Sequence, residues 1–225
     1  SVVYKRQVMN DAAIRLTDDL AYDVEAVRAD FPILSQTVHG KPLVYLDSGA
    51  SAQKPKAMIE AMRHSFEECY ANVHRGAYDF SERTTAAYEG AREIIRGFLN
   101  AKSEREIIFT KNASEAINLV AYSYGRGILK AGDTVLISEM EHHSNIVPWQ
   151  LLRDATGVAL KVVPITDEGE FRMDAYADML DDSVKLVAVT HVSNVLGTIT
   201  PAKKIVEMAH SVGAKVLFDG SQAVM

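Results

Sequence analysis

One polar segment with the residue types of an anion site follows an apolar run typical of a buried strand. Residues 111–115 (KNASE) would open a helix, and the free backbone N–H groups and dipole of a helix N-terminus attract anions such as phosphate. The small side chains of Ala113 and Ser114 would let a phosphate approach the backbone. Taken alone, the segment is explained more simply by ordinary helix capping through Asn112 or Ser114.

A second segment, residues 139–145 (EMEHHSN), contains the adjacent histidines His142 and His143. Adjacent histidines rarely ligate one ion together, and no partner has zinc-like spacing, so no metal site is predicted. An imidazole lying flat on a planar ligand is one interpretation of the pair. A polar loop with solvated histidines is the other.

Two further segments end apolar runs with an amide and a carboxylate. In residues 191–197 (HVSNVLG), Asn194 could donate to a ligand oxygen, or it could form an Asx turn whose bend Gly197 supplies. In residues 219–222 (DGSQ), Asp219 ends a predicted buried strand, where an unpaired charge is costly. A cationic ligand would suit this carboxylate, and so would a helix N-cap or a salt bridge.

Together the four segments match the chemistry of pyridoxal phosphate (PLP). Their anion site suits the phosphate of PLP, and a flat imidazole suits its planar ring. An amide donor suits the phenolic oxygen, and a carboxylate suits the pyridine nitrogen. A carboxylate beside the pyridine nitrogen keeps it protonated, so that the ring can act as an electron sink.

Apolar runs alternate with stretches of helical periodicity along most of the chain. The predicted strands are residues 42–47, 106–110, 134–138, 160–164, 184–190 and 215–219. The predicted helices are residues 23–30, 55–70, 84–99, 114–130, 148–156 and 201–212. We expect Thr200 to cap the last helix, with Pro201 in its first turn and Gly213 at its end. The alternation predicts an α/β fold, a mostly parallel sheet covered by helices on both faces, with ligands outside the carboxyl ends of the strands.

The composition of the 225-residue chain, 48% hydrophobic and 24% charged, is typical of a soluble globular protein. Its net charge of −6 argues against non-specific binding to nucleic acid or to an anionic membrane. No apolar stretch approaches the length of a membrane span. Residues 1–20 lack the apolar core of a secretory signal. Residues 1–17 have weak periodicity, which indicates either a flexible arm or a non-native extension. With one cysteine and no possible intrachain disulfide, we expect a cytoplasmic protein.

The single cysteine, Cys69, allows no intrachain disulfide. It follows Met58, Met62 and Phe66 at helical spacing, which predicts one apolar face of a helix. A free cysteine on such a face is usually part of the core, so we expect Cys69 to be structural and not a nucleophile.

Six segments resemble, in order and spacing, the SufS-like branch of cysteine desulfurases, within the class V aminotransferase family of PLP enzymes. They are LDSGASAQKP, NVHRG, NASEAINLVA, MEHHSNIVPWQ, HVSNVLGT and VLFDGSQAV, and the resemblance runs from about residue 23 to residue 225. It implies the large domain of a fold-type I PLP enzyme. Residues 1–34 would form an N-terminal arm with a short helix, and residues 35–225 the N-terminal part of the PLP-binding domain.

The resemblance implies how residues of this chain would contact the PLP ring. His142 would stack on the ring as a catalytic residue, and Asp219 would pair with the pyridine nitrogen. Asn194 and Gln222 would contact the side of the phenolic oxygen.

The same resemblance implies the contacts of the phosphate and the substrate. Ala113 and Ser114 would bind the phosphate, with backbone N–H groups contributing more because alanine stands where relatives often have a hydroxyl residue. Arg75 would contact the substrate. The lysine that would hold PLP covalently and the nucleophilic cysteine are expected beyond Met225, so residues 1–225 alone are expected to be inactive.

The reaction implied converts L-cysteine to L-alanine and leaves the sulfur as an enzyme persulfide for iron–sulfur cluster assembly. The family also implies a homodimer and a sulfur-acceptor protein. A selenocysteine lyase or another PLP enzyme of the family is an alternative, and so is a non-catalytic fragment or binding module. A nucleotide-binding domain fits poorly, because Gly125-Arg126-Gly127 lies near a predicted helix end and not after a strand.

Overall fold

A computed structural model describes residues 22–224, and the chain divides between Ile108 and Phe109 into two compact units. The expectation of a flexible arm over residues 1–17 lies outside the described residues. The domain boundary expected after residue 34 stays a prediction.

The N-terminal unit is mostly helical. Its elements are α1 (Val24–Ala29), a 3-10 turn (Pro32–Ser35), β1 (Thr37–Val38), β2 (Lys41–Pro42), α2 (Lys56–His64), a π turn (Ser65–Cys69), α3 (Asp79–Leu99) and a 3-10 turn (Glu104–Glu106). α1 begins where the Asp23 carboxylate accepts a hydrogen bond from the Ala26 N–H at 2.9 Å. α3 ends at Asn100, whose φ of 55° is left-handed. The three helices predicted in this part of the chain are confirmed, and α3 begins at residue 79 instead of the predicted residue 84.

Two predicted strands, residues 42–47 and 106–110, are wrong. Beyond Pro42 the first pairs with no strand in the described part of the chain, and Val44 and Leu46 are 76% and 91% exposed. The second begins inside a 3-10 turn, and residues 107–110 likewise join no described sheet. An apolar run becomes a strand only where another strand satisfies its backbone N–H and C=O groups.

The expectation that Cys69 belongs to the core is also wrong for the described residues. Cys69 is half-buried, in the π turn that follows α2. The other members of the predicted apolar face are exposed: Met58, Met62 and Phe66. Helical spacing identifies a face, but it does not supply the residues that bury it.

The C-terminal unit contains a parallel four-stranded sheet. Its strands are β3 (Thr134–Ser138), β4 (Ala159–Val163), β5 (Val184–Thr190) and β6 (Lys215–Asp219), in the order β4-β3-β5-β6. Its helices are α4 (Ala113–Val120), α5 (Arg126–Ile128), α6 (Val147–Thr156), α7 (Met173–Met179) and α8 (Ala202–Ser211), with a π turn (Ala121–Gly125) between α4 and α5. All four strands predicted here are confirmed.

Helices cover both faces of this sheet. Successive strand residues point to opposite sides, so a strand with apolar residues throughout presents an apolar surface on each face. Val135 and Ile137 of β3 belong to a cluster with Trp149 of α6. Leu136, between them in sequence, belongs to a second cluster with Tyr176 of α7. The predicted α/β class, with a parallel sheet between helical layers, is therefore confirmed.

The last two helices differ from the prediction. α7 was not predicted, because it is only seven residues long and contains a single fully buried residue, Tyr176. Pro201, not Thr200, is the N-cap residue of α8. Thr200 is buried and its hydroxyl donates instead to the Thr190 carbonyl at 2.9 Å. Gly213 follows the helix as predicted, with a φ of 76°.

Candidate active site

The carboxyl ends of β3 and β5 form the point where the strand order reverses. β4 lies on one side of β3 and β5 lies on the other, so the connections leave these two strands in opposite directions. Such a point creates a crevice in which α/β proteins bind ligands. The segments that carry His142, Asn194 and Asp219 follow β3, β5 and β6, so the structure brings all three to this edge.

His142 lies at the start of the 3-10 turn His143–Asn145. The Asn145 N–H closes the turn by donating to the His142 carbonyl at 2.8 Å. The Ser144 N–H donates to His142 Nδ1 at 3.2 Å, and the Ser144 hydroxyl oxygen lies 2.8 Å from the same nitrogen. The ring is exposed and stands at 89° to the ring of His143, with 6.1 Å between centroids.

Asp219 is the last residue of β6 and only 8% exposed. Its Oδ1 atom accepts hydrogen bonds from the Ser221 N–H at 3.0 Å and the Ser221 hydroxyl at 2.6 Å. Its Oδ2 atom has no hydrogen bond, and the carboxylate has no ion pair, with any residue from 22 to 224. One oxygen of a buried carboxylate therefore remains open to a cationic partner.

Glu141 is a second buried carboxylate at the same edge, and sequence reasoning missed it. It is 8% exposed, and its carboxylate accepts from the Thr190 N–H at 2.9 Å and from Asn145 Nδ2 at 2.7 Å. Ser138 also donates to it. The signal that could have found it is the one that singled out Asp219, an acidic residue just after a buried strand.

Burial is the main cause that raises the pKa of the Glu141 carboxyl above its ordinary value. Hydrogen bonds from Ser138, Asn145 and Thr190 lower it, and the charge of Asp219 raises it further. The negative charges of the two carboxylates therefore repel each other. A cation at this edge would reduce that repulsion and stabilise the charged form of both groups.

The N-terminus of α4 carries the predicted phosphate residues. Asn112 caps the helix, because its side chain accepts from the Glu115 N–H at 2.9 Å. The Glu115 carboxylate in turn accepts from the Lys111 N–H at 2.5 Å. Ala113 is half-buried and Ser114 exposed, and their N–H groups have no acceptor among the described residues. α4 also contacts the 3-10 turn next to His142.

Asn194 is exposed in the turn after β5, but it does not form the Asx turn considered above. Ser193 holds the turn instead, since its hydroxyl oxygen accepts from the N–H groups of Val195 and Leu196 at 3.3 and 3.1 Å. Gly197 supplies the predicted bend, with a φ of 73°. Gln222 is half-buried in the turn after Asp219.

Arg75 is exposed in the turn that precedes α3, within the N-terminal unit. It follows His74, whose φ of 62° is left-handed and unusual for a residue other than glycine. Hydrogen bonds from the His74 N–H to Thr85 Oγ1 and between His74 Nε2 and Glu89, both 3.0 Å, hold this backbone. Contact between Arg75 and a substrate stays a prediction.

Residues 22–224 contain neither a cluster of metal-ligating side chains nor a membrane-spanning helix. No group of three or more His, Cys, Asp or Glu side chains there could hold a metal ion. No helix in that range has the length and apolar character to cross a membrane.

Comparison with known proteins supplies a family. The sequence model of the aminotransferase class-V family matches residues 44–225. The cysteine desulfurase of Dickeya dadantii is 54% identical over 204 residues, which cover 91% of this chain and 50% of the relative. The cysteine desulfurase of Synechococcus elongatus is 51% identical over 205 residues, 91% of this chain and 33% of the relative. The chain thus spans half the length of the first relative and a third of the second.

Solved structures agree with the sequence relatives. The cysteine desulfurase CsdA of Escherichia coli superposes with a TM-score of 0.80 at 34% identity, over 91% of this chain and 50% of that one. The apo cysteine desulfurase of Thermococcus onnurineus also gives 0.80, at 37% identity, over 87% of this chain and 46% of that one.

Proposed function

Because the chain belongs to the aminotransferase class-V family, we propose that it is part of a PLP-dependent cysteine desulfurase. The proposed reaction converts L-cysteine to L-alanine and leaves the sulfur as an enzyme persulfide. Relatives named cysteine desulfurase at 51% and 54% identity support this choice within the family. The observation that carries the proposal is the open oxygen of buried Asp219 at the same sheet edge as His142.

The proposal extends to the subtype of the enzyme, its cellular location and its protein partners. The order of the motifs supports the SufS-like branch, and the acidic composition and single cysteine suit a cytoplasmic protein. We propose a homodimer that passes its sulfur to an acceptor protein of iron–sulfur cluster assembly.

The donor set of the C-terminal unit fits PLP. Asp219 has an open anionic oxygen for a protonated ring nitrogen, and the Ala113 and Ser114 N–H groups are available to a phosphate. When bound, PLP supplies an electron sink for bonds at the substrate α-carbon. The chain's own part would be to bind and orient this group at the crevice between β3 and β5.

Each remaining residue has one proposed task. His142 would lie flat on the ring, with its Nδ1 held by Ser144 so that the imidazole cannot rotate freely. Asn194 and Gln222 would contact the phenolic oxygen side. Arg75 would bind the substrate.

A direct test uses the complete gene product with PLP and L-cysteine. With a thiol reductant present to release the persulfide sulfur as sulfide, we expect cysteine-dependent formation of alanine and sulfide above a control that contains cofactor and reductant but no protein. Residues 1–225 alone should give neither product. L-selenocysteine in place of L-cysteine distinguishes the lyase alternative. Absence of alanine from a folded, PLP-loaded protein would contradict the proposal.

Replacing Cys69 with alanine should leave persulfide formation intact in the complete protein. The half-buried thiol is one small group in a turn, so we expect a loss of at most about 1 kcal/mol in unfolding free energy. The backbone carbonyl of Cys69 would still accept from Thr84. Mass spectrometry after reaction with L-cysteine measures the persulfide, and its loss from a folded Cys69→Ala variant would make Cys69 the nucleophile.

A further inference from the structure

Buried Glu141 receives hydrogen bonds whose direction is determined by its neighbours. The indole N–H of Trp149 can only donate, and it donates to Asn145 Oδ1 at 2.9 Å. The amide of Asn145 is thereby oriented, so its Nδ2 must donate to Glu141 Oε2. The backbone N–H of Thr190 can also only donate, and it does so to Oε1. Both carboxylate oxygens must therefore act as acceptors.

These hydrogen bonds join parts of the edge that are far apart in sequence. Thr190 is the last residue of β5 and Ser138 is the last residue of β3, so one carboxylate ties the two strand ends. Asn145 closes the turn that begins at His142. Residues on both sides of His142, Glu141 and Asn145, are thus bound to each other and to the sheet.

We propose that Glu141 is a positioning residue that holds the His142 turn against the carboxyl ends of β3 and β5. It does not touch a ligand in this assignment, and it acts through the backbone of His142. The expected effect of Glu141 on turnover rests on the proposed desulfurase function. Its expected effect on the hydrogen bonds around the His142 turn does not depend on that function.

The variant Glu141→Gln changes one acceptor oxygen into a donor at nearly constant shape. A glutamine oxygen can still accept from Thr190 and Ser138, but its amide nitrogen then faces the Asn145 amide nitrogen, and two donors oppose each other. If Asn145 turns over, the Trp149 indole N–H loses its acceptor. We expect the Trp149 indole resonance and the His142 ring resonances to shift in NMR spectra of the complete protein, and kcat/KM to fall roughly fivefold.

The NMR signals are assigned from variants of the protein, and the assignment does not require bound PLP. Trp149 is the only tryptophan in residues 1–225, and its indole signal is identified by its loss in Trp149→Phe. The His142 ring signals are identified in the same way with His142→Ala. Glu139→Gln is the matched control, because Glu139 is an exposed carboxylate two residues away whose contact with the Ile165 N–H a glutamine oxygen would keep. It should leave both signals and turnover unchanged.

A double variant tests the direction of the network. When Glu141→Gln is combined with Asn145→Asp, the glutamine amide donates to one oxygen of the carboxylate introduced at position 145, and the Trp149 indole donates to the other. The Trp149 indole, the Thr190 N–H, the Ser138 hydroxyl and one N–H of the glutamine amide then each have an acceptor. We therefore expect the Trp149 and His142 signals and kcat/KM to return toward the values of the unchanged protein. The double variant also carries the test if Glu141→Gln alone does not fold.

The outcomes separate this proposal from the proposed function. Glu141→Gln with unchanged Trp149 and His142 signals would overturn the positioning role, and so would a double variant that restores neither signal or does not fold. Shifted and restored signals in a protein that neither retains PLP nor forms alanine would support the positioning role and contradict the desulfurase function.

Discussion

Replacing Asp219 with asparagine is expected to lower desulfurase turnover of the complete protein at least about a hundredfold. The substitution removes the negative charge proposed to keep the PLP ring nitrogen protonated. It preserves shape, because an asparagine Oδ1 can still accept from Ser221. The amide nitrogen would take the place of Asp219 Oδ2, which has no hydrogen-bond partner among residues 22–224. Alanine production from L-cysteine measures the effect, and Asp219→Ala should abolish nearly all of it.

Ser221→Ala is the matched control for Asp219. It deletes one hydrogen bond to Asp219 Oδ1 and keeps the Ser221 N–H donor and the charge, so turnover should change little. Circular dichroism should show that both variants are folded. Near-normal alanine production by folded Asp219→Asn and Asp219→Ala would show that Asp219 does not serve the ring nitrogen.

His142→Ala is expected to weaken PLP retention by roughly thirtyfold, while His143→Ala has a small effect. The two rings stand at 89° to each other, so a planar ligand can lie flat on only one of them. Equilibrium dialysis of the complete protein against PLP gives the affinity, and alanine formation gives the accompanying loss of turnover.

A third variant separates stacking from hydrogen bonding at this position. His142→Phe keeps a flat ring but loses the Nδ1 acceptor of Ser144, so it should retain PLP better than His142→Ala. If His143→Ala is the more damaging of the two alanine variants, the stacking residue has been assigned to the wrong histidine.

The central sheet was predictable from local pattern alone. β3 and β5 have the predicted bounds, residues 134–138 and 184–190, because a strand buried on both faces must be apolar throughout. The edge at which the polar segments meet follows from the same argument, since parallel strands all end on one side. The sequence alone therefore predicts that His142, Asn194 and Asp219 lie at one edge of the sheet.

Only the tertiary structure decided which apolar runs have partners and which polar groups are buried. Residues 42–47 and 106–110 resemble strands in sequence but pair with no strand in the described part of the chain. The carboxylate of Glu141 receives the Thr190 N–H from 49 residues away. Local sequence determines periodicity and turn chemistry, whereas strand pairing and desolvation depend on residues brought together from distant parts of the chain. The parallel sheet could therefore be predicted from the sequence, whereas the buried carboxylate that links its strand ends could not.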